Sequence, residues 1–168
     1  MKMAQMNAYN EISWASIIKS LEAEVSLQHL ASFFGITLAP KIALEARGVV
    51  FGEGEEGEGQ GDPKASAGFC VGLQPSLVKL DRDCRAGGGA AIAGADDVYA
   101  VGPAQIVNPA VAAFKQEVFK RCGLRLQLEK SSLFTWEGDL PAGTQRCGIV
   151  ESAWKRKSQH FAKMRQSA

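Results

Sequence analysis

The run Ala90-Ala91-Ile92-Ala93-Gly94-Ala95-Asp96-Asp97-Val98-Tyr99-Ala100-Val101 decides how this chain is read. Small and apolar residues lead into two adjacent aspartates and out again, which predicts two strands joined at a carboxylate pair. Neighbouring ionised carboxylates repel each other and are best tolerated where a divalent cation neutralises them. The plain alternative is a surface turn, where Asp-Asp pairs are common. Gly87-Gly88-Gly89 before the hairpin and Gly102-Pro103 after it are turn signals, so residues 90 to 102 stand as one unit.

Helices are predicted on both sides of that unit. Residues 64 to 84 read as helix, with a kink or a split into two helices expected at Pro75. Residues 104 to 121 carry Val107, Val111, Phe114, Val118 and Phe119 near one face, and Gly123 stops them. Leu124, Leu126 and Leu128 then alternate with Arg125, Gln127 and Glu129 as a half-exposed strand. Towards the start, Ile12, Ile17, Ile18 and Leu21 mark a helix over 10 to 22, whose pattern continues to Phe33-Phe34 and stops at Gly35. Gly48-Val49-Val50-Phe51 reads as a short strand, and the glycine- and glutamate-rich segment 52 to 61 as a loop with nothing apolar to bury. This order suits an α+β domain, an antiparallel sheet with helices packed on one face. Few strand-forming residues precede Ala8, so the unit is expected to be incomplete at its N-terminus.

Composition sets the outer bounds. A chain of 168 residues, 46% hydrophobic, has enough material for one domain with a real core. No apolar run approaches the ~18–20 residues that span a bilayer, and no apolar segment follows Met1-Lys2-Met3-Ala4-Gln5 as a secretory signal would require. Cys70, Cys84, Cys122 and Cys147 are widely spaced and without histidine at ligand spacing, which points to reduced thiols in an intracellular protein rather than a zinc site. The formal net charge of +1 gives no global attraction to nucleic acid, but it is uneven. Glu53 to Glu58 form an acidic segment, and residues 145–168 form a basic tail that carries Trp154 and Phe161. The tail is read as a solvated terminus, with phosphate binding and base stacking as its functional alternative. His29, among apolar neighbours and with no nucleophile to serve, reads as a packed or half-buried helix residue.

Four short segments occur in an order that carries a resemblance. They are Met6-Asn7-Ala8-Tyr9-Asn10-Glu11, Gly59-Gln60-Gly61-Asp62-Pro63, the hairpin at Asp96-Asp97, and the stretch from Cys122-Gly123 to Lys130-Ser131. Together they resemble the palm of reverse transcriptases (RNA-directed DNA polymerases) of the non-LTR retroelement type. That family has Asp-x-x-x-Ala-Phe/Tyr, a Gln-Gly-x-Pro loop opening a helix, an aromatic-Ala-Asp-Asp turn, and a Gly…Lys-Ser/Thr strand. The resemblance covers roughly residues 4 to 136 and implies a ferredoxin-like polymerase palm over 1–144.

What the resemblance implies is template-directed nucleotidyl transfer on an RNA or DNA template-primer with deoxynucleotides, assisted by two Mg²⁺ (or Mn²⁺) ions. Asp96 and Asp97 would be metal ligands. Lys130 would approach the triphosphate as a proton donor, Tyr9 would exclude a 2′-hydroxyl, and Gln60 and Gly61 would contact the incoming base pair and template. Plainer roles stand beside these: core packing for Tyr9, a glycine turn with Asp62 as helix cap for the loop, and a solvated strand-end lysine for Lys130. Two positions depart from the pattern. Gly94 replaces the usual aromatic, and the first metal-ligand aspartate falls on Ala4, with no carboxylate anywhere before Glu11. A methyl group cannot coordinate a metal, so polymerase activity is expected to be absent or nearly so. The alternative is a non-catalytic nucleic-acid-binding or interaction domain on the same scaffold. Either way, the backbone at Ala4 is expected beside the aspartate turn.

Overall fold

The computed structural model describes residues 1–4, 8–38, 42–54, 57, 62–94, 96–127 and 130–133. The protein is α+β, and its described elements are β1 (Lys2–Ala4), α1 (Ala8–Glu11), α2 (Trp14–Ala23), α3 (Gln28–Leu38), β2 (Ile42–Ala46), β3 (Val49–Gly54), α4 (Ala65–Arg85), β4 (Ala90–Gly94), β5 (Asp97–Val101) and α5 (Ala104–Cys122). They fall into two compact units. One comprises Met1–Met6, Ser76–Glu117 and the residues from Arg125 on; the other comprises Asn7–Pro75 and Val118–Leu124.

The first unit holds a three-stranded antiparallel sheet in the order β1-β5-β4. Gly94 pairs with Asp97, and Asp96 lies in the turn between β4 and β5. β1 lies along the other edge of β5, with Lys2 opposite Tyr99, Met3 opposite Val98 and Ala4 opposite Asp97. The backbone of Ala4 is thus adjacent to the aspartate turn, as the motif order predicts. Ser132 forms an antiparallel bridge on the far side of β1, with Lys2 N–H donating to Ser132 O at 2.7 Å and the return bond at 2.8 Å. β1 therefore has backbone partners on both sides.

The pleat gives this sheet a dry face and a wet one. Met3, Val98 and Ala100 are buried, whereas Ile92, Tyr99 and Val101 are exposed. α4 and α5 supply further buried residues to the unit, among them Leu80, Cys84, Val107, Val111 and Phe114. Asp81 ties α4 to the sheet: one carboxylate oxygen accepts from the Ala91 N–H at 2.8 Å, and the other pairs with Arg85 at 2.6 Å. Those two partners, the amide first, hold its carboxyl below the ordinary aspartate value.

In the second unit, α2 presents Ser16, Ile17, Ser20 and Leu21 to the interior. The serine hydroxyls donate back to Ser13 O and Ser16 O, both at 2.7 Å, so the helix face stays satisfied without water. α2 packs against α4 at Gly72, where an added Cβ would stand 2.9 Å from Ile12 Cδ1 and 3.1 Å from Ile17 Cγ1. β2 and β3 pair as a separate antiparallel hairpin whose two-residue turn, Arg47-Gly48, has φ of 53° and 77°. Positive φ at both positions matches the right-handed twist of the strands it joins.

Several sequence expectations are revised. Gly35 does not end a helix; α3 runs through it to Leu38, because an exposed helix tolerates one glycine at a cost of only ~1 kcal/mol. Pro75 lies inside a single 21-residue helix, so of the kink and the split expected there the split is overturned, and Pro109 likewise lies inside α5. β3 extends to Gly54, so residues 52 to 54 are strand and not loop, carried by pairing to Ile42–Leu44. The alternation at 124 to 127 appears as burial, with Leu124 and Leu126 inside, but these residues do not form a continuous strand. His29 is exposed on α3.

Candidate functional site

The wet face of the sheet carries a cluster of three residues. Lys2, on β1, stands opposite Tyr99 and therefore one pleat diagonally from Asp97, within reach of a long side chain. Its ammonium lies 2.5 Å from Asp97 Oδ2. The Tyr99 hydroxyl donates to the same oxygen at 3.4 Å, and the ammonium sits 5.8 Å from the centre of the Tyr99 ring. Lys2 titrates above the ordinary lysine value, chiefly through the hydrogen bond to Asp97. Asp97 and Lys2 are each about one-third exposed, at 30% and 32%. Asp96 projects from the tip of the turn and is exposed.

The other candidates divide as follows. Lys130 belongs to the same unit but not to a strand. It is exposed in a turn where its N–H and that of Ser131 both donate to Gln127 O at 3.1 Å. Among the described residues no ion pair joins Lys130 to either aspartate. Tyr9 belongs to the second unit, on α1, and its ring lies 4.7 Å from that of fully buried Phe69, tilted by 32°. That contact is the packing role. Gln60 and Gly61 lie outside the described residues, as does Cys147, whereas Asp62 caps α4 by accepting from Lys64 N–H at 2.9 Å.

A two-ion centre needs several converging oxygen ligands. Here position 4 offers a methyl group and Asp97 is already engaged by an ammonium. Among the described residues no three of His, Cys, Asp and Glu converge on a point that could hold a metal ion. The described residues do not fit such a centre. A shallow cleft of about 290 Å³ lies elsewhere in the unit, lined by Asp83, Ile106, Pro109, Ala110 and Ala113, and includes none of the candidates. No described helix is long and apolar enough to cross a membrane.

Sequence reasoning passed over Lys2. The signal was present once Ala4 was placed opposite Asp97, because the pleat then puts residues 2 and 99 on the same face two positions along. No protein-family model matches the chain, and no curated protein matches its sequence.

Proposed function

We propose that the chain is a reverse-transcriptase-like palm fragment of retroelement type that keeps the scaffold of templated nucleotidyl transfer without its chemistry. The observation that carries this reading is the register Ala4 opposite Asp97. It sets the residue in the place of the first metal ligand directly across from the carboxylate turn. Strand order supports it as well. With the bridge at Ser132 counted as a fourth strand, the order Ser132-β1-β5-β4 and the succession strand, helix, two strands, helix, strand agree with a ferredoxin-like split βαβ arrangement. In that frame residues 7 to 64 are an insertion between the first strand and its crossover helix.

Phosphoryl transfer depends on positioning and on stabilising charge at the transferred group. A lysine-paired Asp97 beside an exposed Asp96 supplies neither two metal sites nor a base. The expected result with a template-primer, deoxynucleotides and Mg²⁺ or Mn²⁺ is no primer extension above background. Robust extension that disappears in Asp96→Asn would overturn the reading. The interaction-domain alternative is favoured by one feature, the exposure of Ile92, Tyr99 and Val101 on the outer face of the sheet. Apolar and aromatic groups left on a sheet face suit contact with a partner or with stacked bases.

A further inference from the structure

We infer that Lys2 is the resident cation of the aspartate turn: its ammonium takes the place of a divalent metal ion on Asp97 and keeps one out. The inference rests on the palm reading for what the turn would otherwise hold, and on this chain's own geometry for the rest. The ammonium is 2.5 Å from Asp97 Oδ2, and the Tyr99 hydroxyl donates to the same atom. The ring of Tyr99 adds an attractive surface for the cation at 5.8 Å.

The lysine is also held in place from behind. Both backbone groups of Lys2 bond to Ser132, and its strand is paired to β5 on the opposite side. Its side chain therefore starts from a fixed point one pleat from the carboxylate. A divalent ion bound to the same oxygen would stand within a few ångströms of the ammonium, where like charges repel even in water. With alanine at position 4, the turn holds Asp96, exposed at its tip, and Asp97, whose charge the ammonium offsets without metal. Loss of the ligand and presence of the lysine thus act in the same direction.

The test restores the missing ligand and then removes the lysine. Mn²⁺ is titrated into Ala4→Asp, Ala4→Asp/Lys2→Met and Ala4→Asp/Lys2→Arg, and bound ion is read from the loss of the free-ion paramagnetic resonance signal. Ala4→Asp/Lys2→Gln serves as a second neutral variant, and circular dichroism checks that each is folded. The expected result is that the neutral variants bind Mn²⁺ about tenfold or more tighter than Ala4→Asp, with Lys2→Arg remaining as weak as lysine. Adding Asp97→Asn to the neutral variants should abolish the gain. Measurable binding of equal strength with and without the lysine overturns the inference about Lys2 and leaves the palm reading standing. No binding in any folded variant overturns the palm reading, because position 4 then does not face the turn, and the inference falls with it.

Discussion

Met3→Ala is the sharpest probe of whether β1 is seated as described. Met3 is 1% exposed and stands opposite Val98, which is fully buried, on the dry face of the sheet. Truncating a buried methionine removes three heavy atoms from a packed site and leaves a cavity, at a cost of ~2–5 kcal/mol. β1 has only three residues and can shift to close part of the gap, so the lower half of that range, about 2–3 kcal/mol, is expected. With a urea dependence of ~1–3 kcal/mol per molar, the unfolding midpoint should fall by roughly 0.7–3 M. Ile92→Ala is the control on the wet face, where the side chain is 65% exposed, and should cost within about 0.5 kcal/mol. Amide exchange provides a local reading, because Ala100 N–H donates to Met1 O at 2.8 Å and should lose protection if β1 loosens. A cost for Met3→Ala no larger than that of Ile92→Ala would refute the reasoning. It would also remove Ala4 from its place opposite Asp97 and take the palm reading with it.

Two further substitutions test other contacts. The folded-state value of the Asp81 carboxyl lies below its unfolded value, so its contribution is present above the ordinary aspartate range and is lost as pH falls through the folded value. Asp81→Asn should therefore melt below the parent near neutral pH, and the gap should close as both are acidified to about pH 2; a gap that does not narrow would show that Asp81 acts without its charge. In the second unit, Gly57→Ala would place a Cβ 2.2 Å from Asn10 O at a φ of +78°, whereas Gly48→Ala at +77° meets open space. Gly48→Ala should cost the backbone strain alone, ~1–2 kcal/mol, and Gly57→Ala clearly more by thermal melting; equal costs would mean that Gly57 is not packed against α1.

The hairpin was legible because two signals agreed, strand-forming residues on both sides of the aspartates and glycine turns beyond each end. α5 was legible for a similar reason: Val107, Val111, Phe114 and Val118 are buried and Gly123 gave its stop, although Phe119, read near the same face, is exposed. Where a single signal was weighed against tertiary packing, packing prevailed. Pro75 and Gly35 disfavour helix locally, yet each lies within a continuous one, because local propensity is a weak prior against burial of a whole face. The reach of β3 to Gly54 follows from pairing with β2, which no composition of glycine and glutamate announces. At the site, the aspartates and the place of Ala4 were readable from motif order. The partner of Asp97 was not, because Lys2 joins it only through the register of a strand from the opposite end of the sequence.

That register also sets the order in which the chain can fold. Met1 and Ala100 are 99 residues apart in sequence, and the bridge from Lys2 waits longer still, for Ser132. During synthesis β1 is made well before β5 and Ser132, so it waits for both of its neighbours. Closing so long a loop is slow, although the entropic cost rises only with the logarithm of its length. Until it closes, the apolar edge of β5 is open to other strands, including those of a second nascent copy. Until β1 docks on β5, Asp97 lacks its lysine.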